Sequence, residues 1–243
     1  MTQPFSKESG RESIYRSAHW PGLTIELRAD HLYVGGVGSL RTLSSAVCNG
    51  GLRESSAWVN WGVPLSYNCA DPEGDARAAL RRWGYDTAQA PVLLTAASLR
   101  RASVVEAERG GLTALCCTTA GVGNAARAGA PMSAQQREQA YRPGTINTML
   151  LVDASLDDAA LAGAFITAAE AKTAALQDLQ IQSPANGRIA TGTTTDALII
   201  AARGPRPEQP LHRYAGTATV LGQTLAELVY DSVCEALAPL ADA

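Results

Sequence analysis

Residues 145–152 have the sequence Thr145-Ile146-Asn147-Thr148-Met149-Leu150-Leu151-Val152, an apolar run that follows Pro143-Gly144. A short run of this kind, bounded by a turn, predicts a β-strand. The clearest helix of the chain follows over about residues 156–179, and residues 189–201 then predict a further strand. Strands also alternate with few long helices elsewhere in the chain, so we expect a layered α/β (α+β) domain.

The predicted helix contains one side chain that its apolar face does not explain. Ser155 and Asp158 have the spacing of a capping box, and apolar residues recur on one face at helical spacing. Lys172 lies in the middle of that apolar stripe, and Glu170 projects from roughly the opposite side. Either the lysine extends its ammonium group to solvent, or the helix is rotated from this assignment, or Lys172 reaches a functional pocket.

The rest of the chain predicts a single domain over residues 21–243, preceded by a polar tail or early extended segment over residues 1–20. Residues 60–74 and 126–143 are polar or rich in turn-forming residues and predict loops. The other predicted elements are strands at residues 23–28, 31–34, 92–94, 103–106, 112–117 and 217–220, and helices at residues 75–83 and 222–237.

The composition argues against several classes of function. The 243 residues are 46% hydrophobic and 18% charged, and the formal net charge of −3 offers no basic field to nucleic acid or anionic lipid. The N-terminus lacks the apolar segment of a signal peptide, and no apolar run reaches the roughly 18 residues of a membrane span. We therefore expect a cytoplasmic protein without nucleic-acid or membrane partners, and the sequence is compatible with a homo-oligomer.

The five cysteines and three histidines are scattered, without the spacing of metal ligands. The adjacent Cys116-Cys117 pair would point to opposite faces of a strand, which makes a shared metal difficult. We therefore expect neither a metal site nor a resident cofactor.

Four segments place hydroxyl or amide side chains beside glycine at the end of an apolar run. Glycine allows the backbone to approach a ligand closely, and hydroxyl and N–H groups at such a place form oxyanion holes or bind a substrate amide. One such segment is ordinary turn sequence, but four in one chain favour a site. Their polar residues and glycines are Ser45, Asn49 and Gly50; Thr118, Thr119, Gly121 and Asn124; Thr145, Asn147 and Thr148; and Thr194 and Asp196.

No familiar catalytic motif accompanies these segments. The histidines form no evident Ser-His-Asp arrangement, and the sequence has neither a GxSxG elbow nor a Walker A motif. An amide hydrolase built on this chain would fit a threonine nucleophile, activated by a free α-amine, a lysine or a carboxylate.

Taken together, the segments resemble the adenosylcobinamide amidohydrolases of the CbiZ type. The residues that carry the resemblance are Leu43 to Val47 with Asn49-Gly50-Gly51, Gly121 to Ala125 with Arg127 and Gly129, Gly144 to Asn147, Glu170-Ala171-Lys172 with Ala175-Leu176, and Ala190 to Asp196. The resemblance covers about residues 25–235. It implies hydrolysis of the amide that joins the aminopropanol arm to the corrin ring, which gives adenosylcobyric acid, and it implies that the cobalt belongs to the substrate.

A weaker similarity concerns the ornithine acetyltransferases and related self-processing aminopeptidases. Thr118 to Gly123, Asn147 to Ala154 and Gly192 to Ile200 match that pattern in order and spacing. It implies stacked mixed β-sheets flanked by helices, a nucleophile at Thr148 and an oxyanion hole over Thr118 to Gly121. Residues 143–146 replace the lysine-containing approach of that family, which argues against self-cleavage before Thr148.

These comparisons and residues lead to a site hypothesis. Thr148 or Thr145 attacks the amide, and Lys172 or Glu170 transfers protons. The expected substrate-binding residues are Ser45, Asn49, Gly50, Thr118, Thr119, Gly121, Asn124, Asn147, Thr194 and Asp196, with Thr118, Thr119 and Gly121 stabilising the oxyanion. The rival functions are a corrinoid-binding protein without catalysis and an acyltransferase of the ornithine acetyltransferase type.

Overall fold

A computed structural model of the chain describes residues 3–6, 13–131 and 144–238. Its helices are α1 (Pro72–Trp83), α2 (Asp158–Asp178) and α3 (Val220–Leu237). Its strands are β1 (Ser13–Arg16), β2 (Thr24–Leu27), β3 (His31–Ser44), β4 (Gly51–Gly62), β5 (Val92–Thr95), β6 (Ser103–Arg109), β7 (Leu112–Ala120), β8 (Ala125–Ala126), β9 (Ile146–Leu156), β10 (Gly192–Thr193), β11 (Ala197–Arg203) and β12 (Leu211–His212).

Ten of these strands form one mixed sheet. Its main path runs β1-β2-β3-β11-β9-β7-β6, while β4 pairs with β3 and β5, and β12 pairs with β9. β8 and β10 form a separate antiparallel pair. In the centre, β11 lies parallel to β9 and antiparallel to β3, so the long helix α2 connects two neighbouring parallel strands.

Three buried clusters divide the molecule into layers. Alternate residues of β9 point to opposite faces of the sheet, as in any strand. Leu150 and Val152 pack against α2 and α3 in the helix-side core, whereas Met149 and Leu151 face a central core. The central core also contains Trp58 from β4, because the curled sheet folds its β1–β4 part over its β6–β11 part. A third cluster joins α1 to β4 and β5, and these layers confirm the predicted mixed α/β class.

The predicted strand-helix-strand unit is present with shifted boundaries. β9 continues to Leu156, so the helix begins later than expected and Asp157 caps it, accepting a hydrogen bond from the Ala160 N–H at 2.8 Å. The predicted strand over residues 189–201 is interrupted. Residues 192–193 form β10, and β11 starts only at Ala197, which leaves residues 194–196 as a connecting turn.

Other segments differ from the sequence-based expectation. β4 extends through residue 62, into the region predicted as a loop, because residues 60 and 61 pair with β3 and residues 60–62 pair with β5. Thr219 caps α3 where a short strand was predicted over residues 217–220. The loop predicted over residues 126–143 is described only as far as residue 131, and residues 132–143 lie outside the described part.

Part of the segment predicted as an N-terminal tail lies within the domain. β1 pairs with β2 in antiparallel register, and Phe5 is buried in the central core. Tyr15 of β1 also packs against this core, so two aromatic side chains attach the segment to the domain.

Helix α2 is the one described helix that is long and apolar enough, by length and composition, to cross a membrane. Its inner face packs against α3 and the sheet, and Leu161, Ala164, Ala168 and Leu176 on that face are buried. One face of this helix therefore belongs to the core of the domain.

The burial of Phe5 predicts that residues before β1 contribute to stability. Phe5→Ala should lower the free energy of unfolding by about 3 kcal/mol because it empties a packed site. Ser6→Ala, which changes an exposed neighbour, is the matched control. Urea unfolding measures both, and equal midpoints for the two variants would contradict the packing described here.

Candidate active site

Three of the segments singled out in the sequence meet at the centre of the sheet. Thr118 of β7 is the register partner of Thr148 of β9, and Leu198 of β11 is the partner of Thr148 on the other side. The sheet thus places Thr148 between the hydroxyl-bearing end of β7 and the turn that contains Asp196. Ser45 joins the group because its Oγ accepts a hydrogen bond from the Leu198 N–H at 3.0 Å.

An ion pair links α2 to this turn. Lys172 Nζ donates to Asp196 Oδ2, and both side chains are largely buried, at 18% and 16% exposure. Asp196 also accepts hydrogen bonds from the Ile146 N–H (3.1 Å), the Thr193 N–H (3.0 Å) and the Thr193 hydroxyl. Its two oxygens therefore have four donors, which fill the acceptor positions of a carboxylate.

Glycine at residue 192 allows this pair to form. A Cβ at that position would lie 2.4 Å from Asp196 Oδ2 and 2.8 Å from Lys172 Nζ, so a larger residue would displace one of them. The lysine in the apolar stripe of the helix thus pairs with a carboxylate inside the protein. That it serves a functional pocket stays a prediction.

A small cavity opens beside the ion pair. It has a volume of about 100 Å³, and its polar lining consists of Ser45, Thr148, Lys172 and Asp196. Phe165, Ala169 and Leu198 contribute to its apolar walls. Thr148 is only 3% exposed, so a substrate group would have to enter this cavity to reach its hydroxyl.

Thr148 belongs to a chain of buried hydroxyl groups on the helix side of the sheet. Its Oγ1 lies 3.2 Å from Thr118 Oγ1, which lies 2.8 Å from Ser232 Oγ of α3. Ser232 Oγ also lies 3.1 Å from the Val229 carbonyl and 3.2 Å from Cys116 Sγ. Burial raises the pKa of Cys116 to about 11, so it is a neutral thiol at neutral pH and unsuited to attack as a thiolate.

A second polar network lies on the opposite face of the same strands. The Asn147 amide donates to Asn60 Oδ1 and to the Leu94 carbonyl, both at 2.8 Å, and the Asn60 amide donates to Thr119 Oγ1 at 2.8 Å. Because adjacent strand residues point to opposite faces, Asn147 and Thr119 are separated by the sheet from Thr148 and Thr118.

Thr145 and its neighbours form a hydrogen-bonded turn next to the cavity. The Thr145 hydroxyl donates to the Thr195 carbonyl at 2.7 Å, and the Thr195 hydroxyl donates to the Gly144 carbonyl at 2.7 Å. The Gly121 N–H donates to the Thr145 carbonyl at 2.9 Å. That N–H is therefore occupied, and the structure does not support the oxyanion-binding role expected of it.

Asn124 ties this turn to the next one. Its amide donates to Thr194 Oγ1 at 2.7 Å, while its buried Oδ1 has no partner among the described residues. The structure thus brings Asn124 and Thr194, which come from two of the predicted segments, into contact. Gly144 leaves room for the Asn124 side chain, since a Cβ at Gly144 would meet it.

Three of the expected site residues lie in other surroundings. The Asn49 amide donates to the Thr87 and Ala90 carbonyls at 3.0 and 2.8 Å, and its φ of 56° forms the turn after β3. A Cβ at Gly50 would lie 2.5 Å from the Ala46 carbonyl oxygen, so this glycine serves the same turn. Glu170 is exposed on the outer face of α2. These placements give Asn49 and Gly50 a structural role and separate Glu170 from the Thr148 hydroxyl.

Two residues of the site were not identified from the sequence. Ser232 lies in the middle of an amphipathic helix, where its only signal was a hydroxyl on the apolar face. Asn60 lies in the strand β4, whereas the sequence placed it at the start of the loop predicted over residues 60–74. Among the described residues, no group of three or more His, Cys, Asp or Glu side chains could hold a metal ion.

Comparison with known proteins gives a consistent result. A sequence profile of the family described as adenosylcobinamide amidohydrolase matches residues 20–241. The chain is 33% identical over 191 residues to the adenosylcobinamide amidohydrolase of Methanosarcina mazei, covering 76% of this chain and 84% of that protein. It is 33% identical over 150 residues to the protein of the same name from Halobacterium salinarum, covering 59% of this chain and 57% of the other.

A solved structure, that of the PH0078 protein from Pyrococcus horikoshii OT3, is also similar. It has 12% identity and a TM-score of 0.45, and the match covers 85% of this chain and 76% of that one.

The four donors to Asp196 predict that this carboxylate holds the site together. Asp196→Asn should lower the free energy of unfolding by about 2 kcal/mol. It leaves the Lys172 ammonium without its counter-ion, and the new amide NH₂ group would face backbone N–H groups that are themselves donors. Glu73→Gln makes the same chemical change in an exposed ion pair with Arg77 and should alter stability little. Denaturant unfolding compares them, and an unchanged midpoint for Asp196→Asn would refute the prediction.

Proposed function

The chain belongs to the adenosylcobinamide amidohydrolase family, and we propose that it cleaves the substrate amide by nucleophilic attack of Thr148, with Lys172 as the proton carrier. The reaction releases aminopropanol from the corrin side chain and leaves adenosylcobyric acid. The observation that carries this proposal is the cavity in which the Thr148 hydroxyl and the Lys172–Asp196 pair face the same space.

The hydrogen bonds of the two candidate threonines favour Thr148. The Thr145 hydroxyl is committed to the Thr195 carbonyl at 2.7 Å and lies outside the cavity lining. The Thr148 hydroxyl has a longer contact of 3.2 Å to Thr118 and lines the cavity itself. A nucleophile needs access to the reacting carbon, and of the two only Thr148 has it.

Lys172 is the better of the two titratable groups in the cavity for moving a proton. Asp196 already accepts four hydrogen bonds, so its role is to hold Lys172 in position. A free α-amine at Thr148 would require breaking β9 between Asn147 and Thr148, where the strand pairs with both β7 and β11. This pairing disfavours the self-processed acyltransferase alternative.

The steps balance with these two residues. The Lys172 ammonium that pairs with Asp196 first releases one proton to solvent. Thr148 Oγ1 then bonds to the amide carbon while its own proton passes to the Lys172 amine. The new ammonium group stabilises the oxyanion and then gives the proton to the aminopropanol nitrogen, whose bond to carbon breaks. Water attacks the resulting ester, again losing a proton to Lys172, and Thr148 leaves with that proton as a hydroxyl group.

The hydroxyl chain behind Thr148 suits an orienting role. Ser232 has the Val229 carbonyl as an acceptor, which leaves its oxygen free to accept from Thr118. Thr118 then fixes the position of Thr148 Oγ1 without offering a base. The same proposal needs no resident metal or cofactor, since the cobalt is part of the substrate, and it fits a soluble protein of the cytoplasm.

The nucleophile assignment predicts a large effect at one threonine. Thr148→Ala should lower kcat by about 10³-fold or more, because the covalent step is lost. Thr148→Ser, which keeps the hydroxyl, should retain a substantial part of the activity, and Thr145→Ala should lose less than about tenfold because it removes only a turn contact. Release of aminopropanol from adenosylcobinamide is the assay, and full activity in folded Thr148→Ala would disprove the assignment.

The proton-carrier role predicts that charge alone does not suffice at residue 172. Lys172→Arg keeps the cation and its pairing with Asp196, but a guanidinium group does not give up its proton at accessible pH. Thermal stability should therefore stay close to that of the unmodified chain, while kcat falls by about 10²-fold. If Lys172→Arg kept its activity, the residue would supply charge and not proton transfer.

A further inference from the structure

The cavity beside Thr148 is much smaller than the proposed substrate. Its volume of about 100 Å³ accommodates the amide and part of the aminopropanol arm. A corrin ring with its side chains must then lie outside the cavity, on a surface that continues from its mouth.

A shallow groove on the outer face of α2 continues from the cavity. It has a volume of about 470 Å³, and Phe165 and Ala169 line both spaces. The rest of the groove follows the helix from Ile166 to Gln177. From residue 165 to residue 177 the helix rises about 18 Å, which exceeds the width of a four-pyrrole macrocycle.

We propose that this groove binds the corrin ring, so that α2 presents the substrate on its outer face while Lys172 acts from its inner side. This inference rests on the proposed function, because the ring is placed in the groove only if the substrate amide reacts in the adjoining cavity. It also reassigns Glu170 from proton transfer to substrate binding.

The chemistry of the groove matches such an occupant. Ile166 is 60% exposed and Phe165 is partly exposed, so the floor offers an apolar surface to a flat ring. Large exposed apolar groups in a contiguous patch indicate a binding surface. The chain is poor in aromatic residues, at 5%, and Phe165 is one of only two phenylalanines.

The rim of the groove supplies polar groups. Glu170 and Gln177 are exposed at its edge and would bind the amide arms that fringe a corrin ring. The Thr173 hydroxyl is already committed to the Ala169 and Thr191 carbonyls, both at 2.9 Å. An alkylated cobalt(III) corrin keeps a net positive charge, which the Glu170 carboxylate complements.

Binding of adenosylcobinamide to the Thr148→Ala protein tests the groove separately from catalysis. Co-elution or ultrafiltration with the coloured corrinoid gives the Kd. Ile166→Lys should weaken binding by about tenfold or more, since it replaces an apolar contact with a charge that repels the cationic corrin. Leu65→Lys, at a side chain that is 69% exposed in a loop outside the groove, is the matched control and should leave Kd unchanged.

Glu170→Gln in the otherwise unmodified enzyme separates the two roles of that residue. The groove assignment predicts a KM that rises by about threefold or more at nearly constant kcat, with an unchanged pH profile. A loss of kcat instead would return Glu170 to proton transfer and overturn the reassignment.

If the groove binds something other than the corrin ring, the binding measurements will differ. An Ile166→Lys protein that binds corrinoid normally overturns the proposal. Weaker binding that accompanies loss of a dimer in light scattering also overturns it, because a second copy would then cover the face. Retained activity in Thr148→Ala would defeat the nucleophile assignment, yet the Kd comparison would still decide the groove.

Discussion

The ion pair between Lys172 and Asp196 is the contact that joins the separate parts of the site. It connects the helix that crosses over the sheet, the turn that precedes β11 and, through the Ile146 N–H, the first residue of β9. Two charges this deeply placed require each other, because removing either one leaves the other with an uncompensated desolvation penalty. Glycine at residue 192 and the threonine donors after it are the local conditions that let the carboxylate accept four hydrogen bonds.

The alternation of side chains along β9 places two different polar networks on the two faces of the sheet. Thr148 points toward the helices, where Thr118, Ser232 and Lys172 lie, and Asn147 points into the layer between the two parts of the sheet. The inner network of Asn60, Thr119 and Asn147 satisfies buried polar groups and fixes the register of the central strands. The proposed nucleophile on one face is thus backed by a hydrogen-bonded polar layer on the other.

Much of this arrangement was predictable from the sequence. The apolar run over residues 145–152, the long helix and the following turn indicated the strand-helix-strand centre. The lysine in the apolar stripe drew attention to residue 172, but its three possible explanations could not be separated from the sequence. The role of Asn49 and Gly50 was not predictable, because turn residues with a structural function have the same composition as ligand-binding loops. Ser232 and Asn60 were missed since their contacts come from elements distant in sequence, and Phe5 was missed because one apolar residue in a polar segment gives no periodicity.

A crystal structure of the Lys172→Arg protein with adenosylcobinamide would test the central claim most directly, since that variant keeps the Thr148 hydroxyl. The account predicts the carbonyl carbon of the aminopropanol amide roughly 3–3.5 Å from Thr148 Oγ1, with the corrin ring on the outer face of α2. A carbonyl on the Asn147 face of β9, or one more than about 5 Å from Thr148 Oγ1, would contradict it.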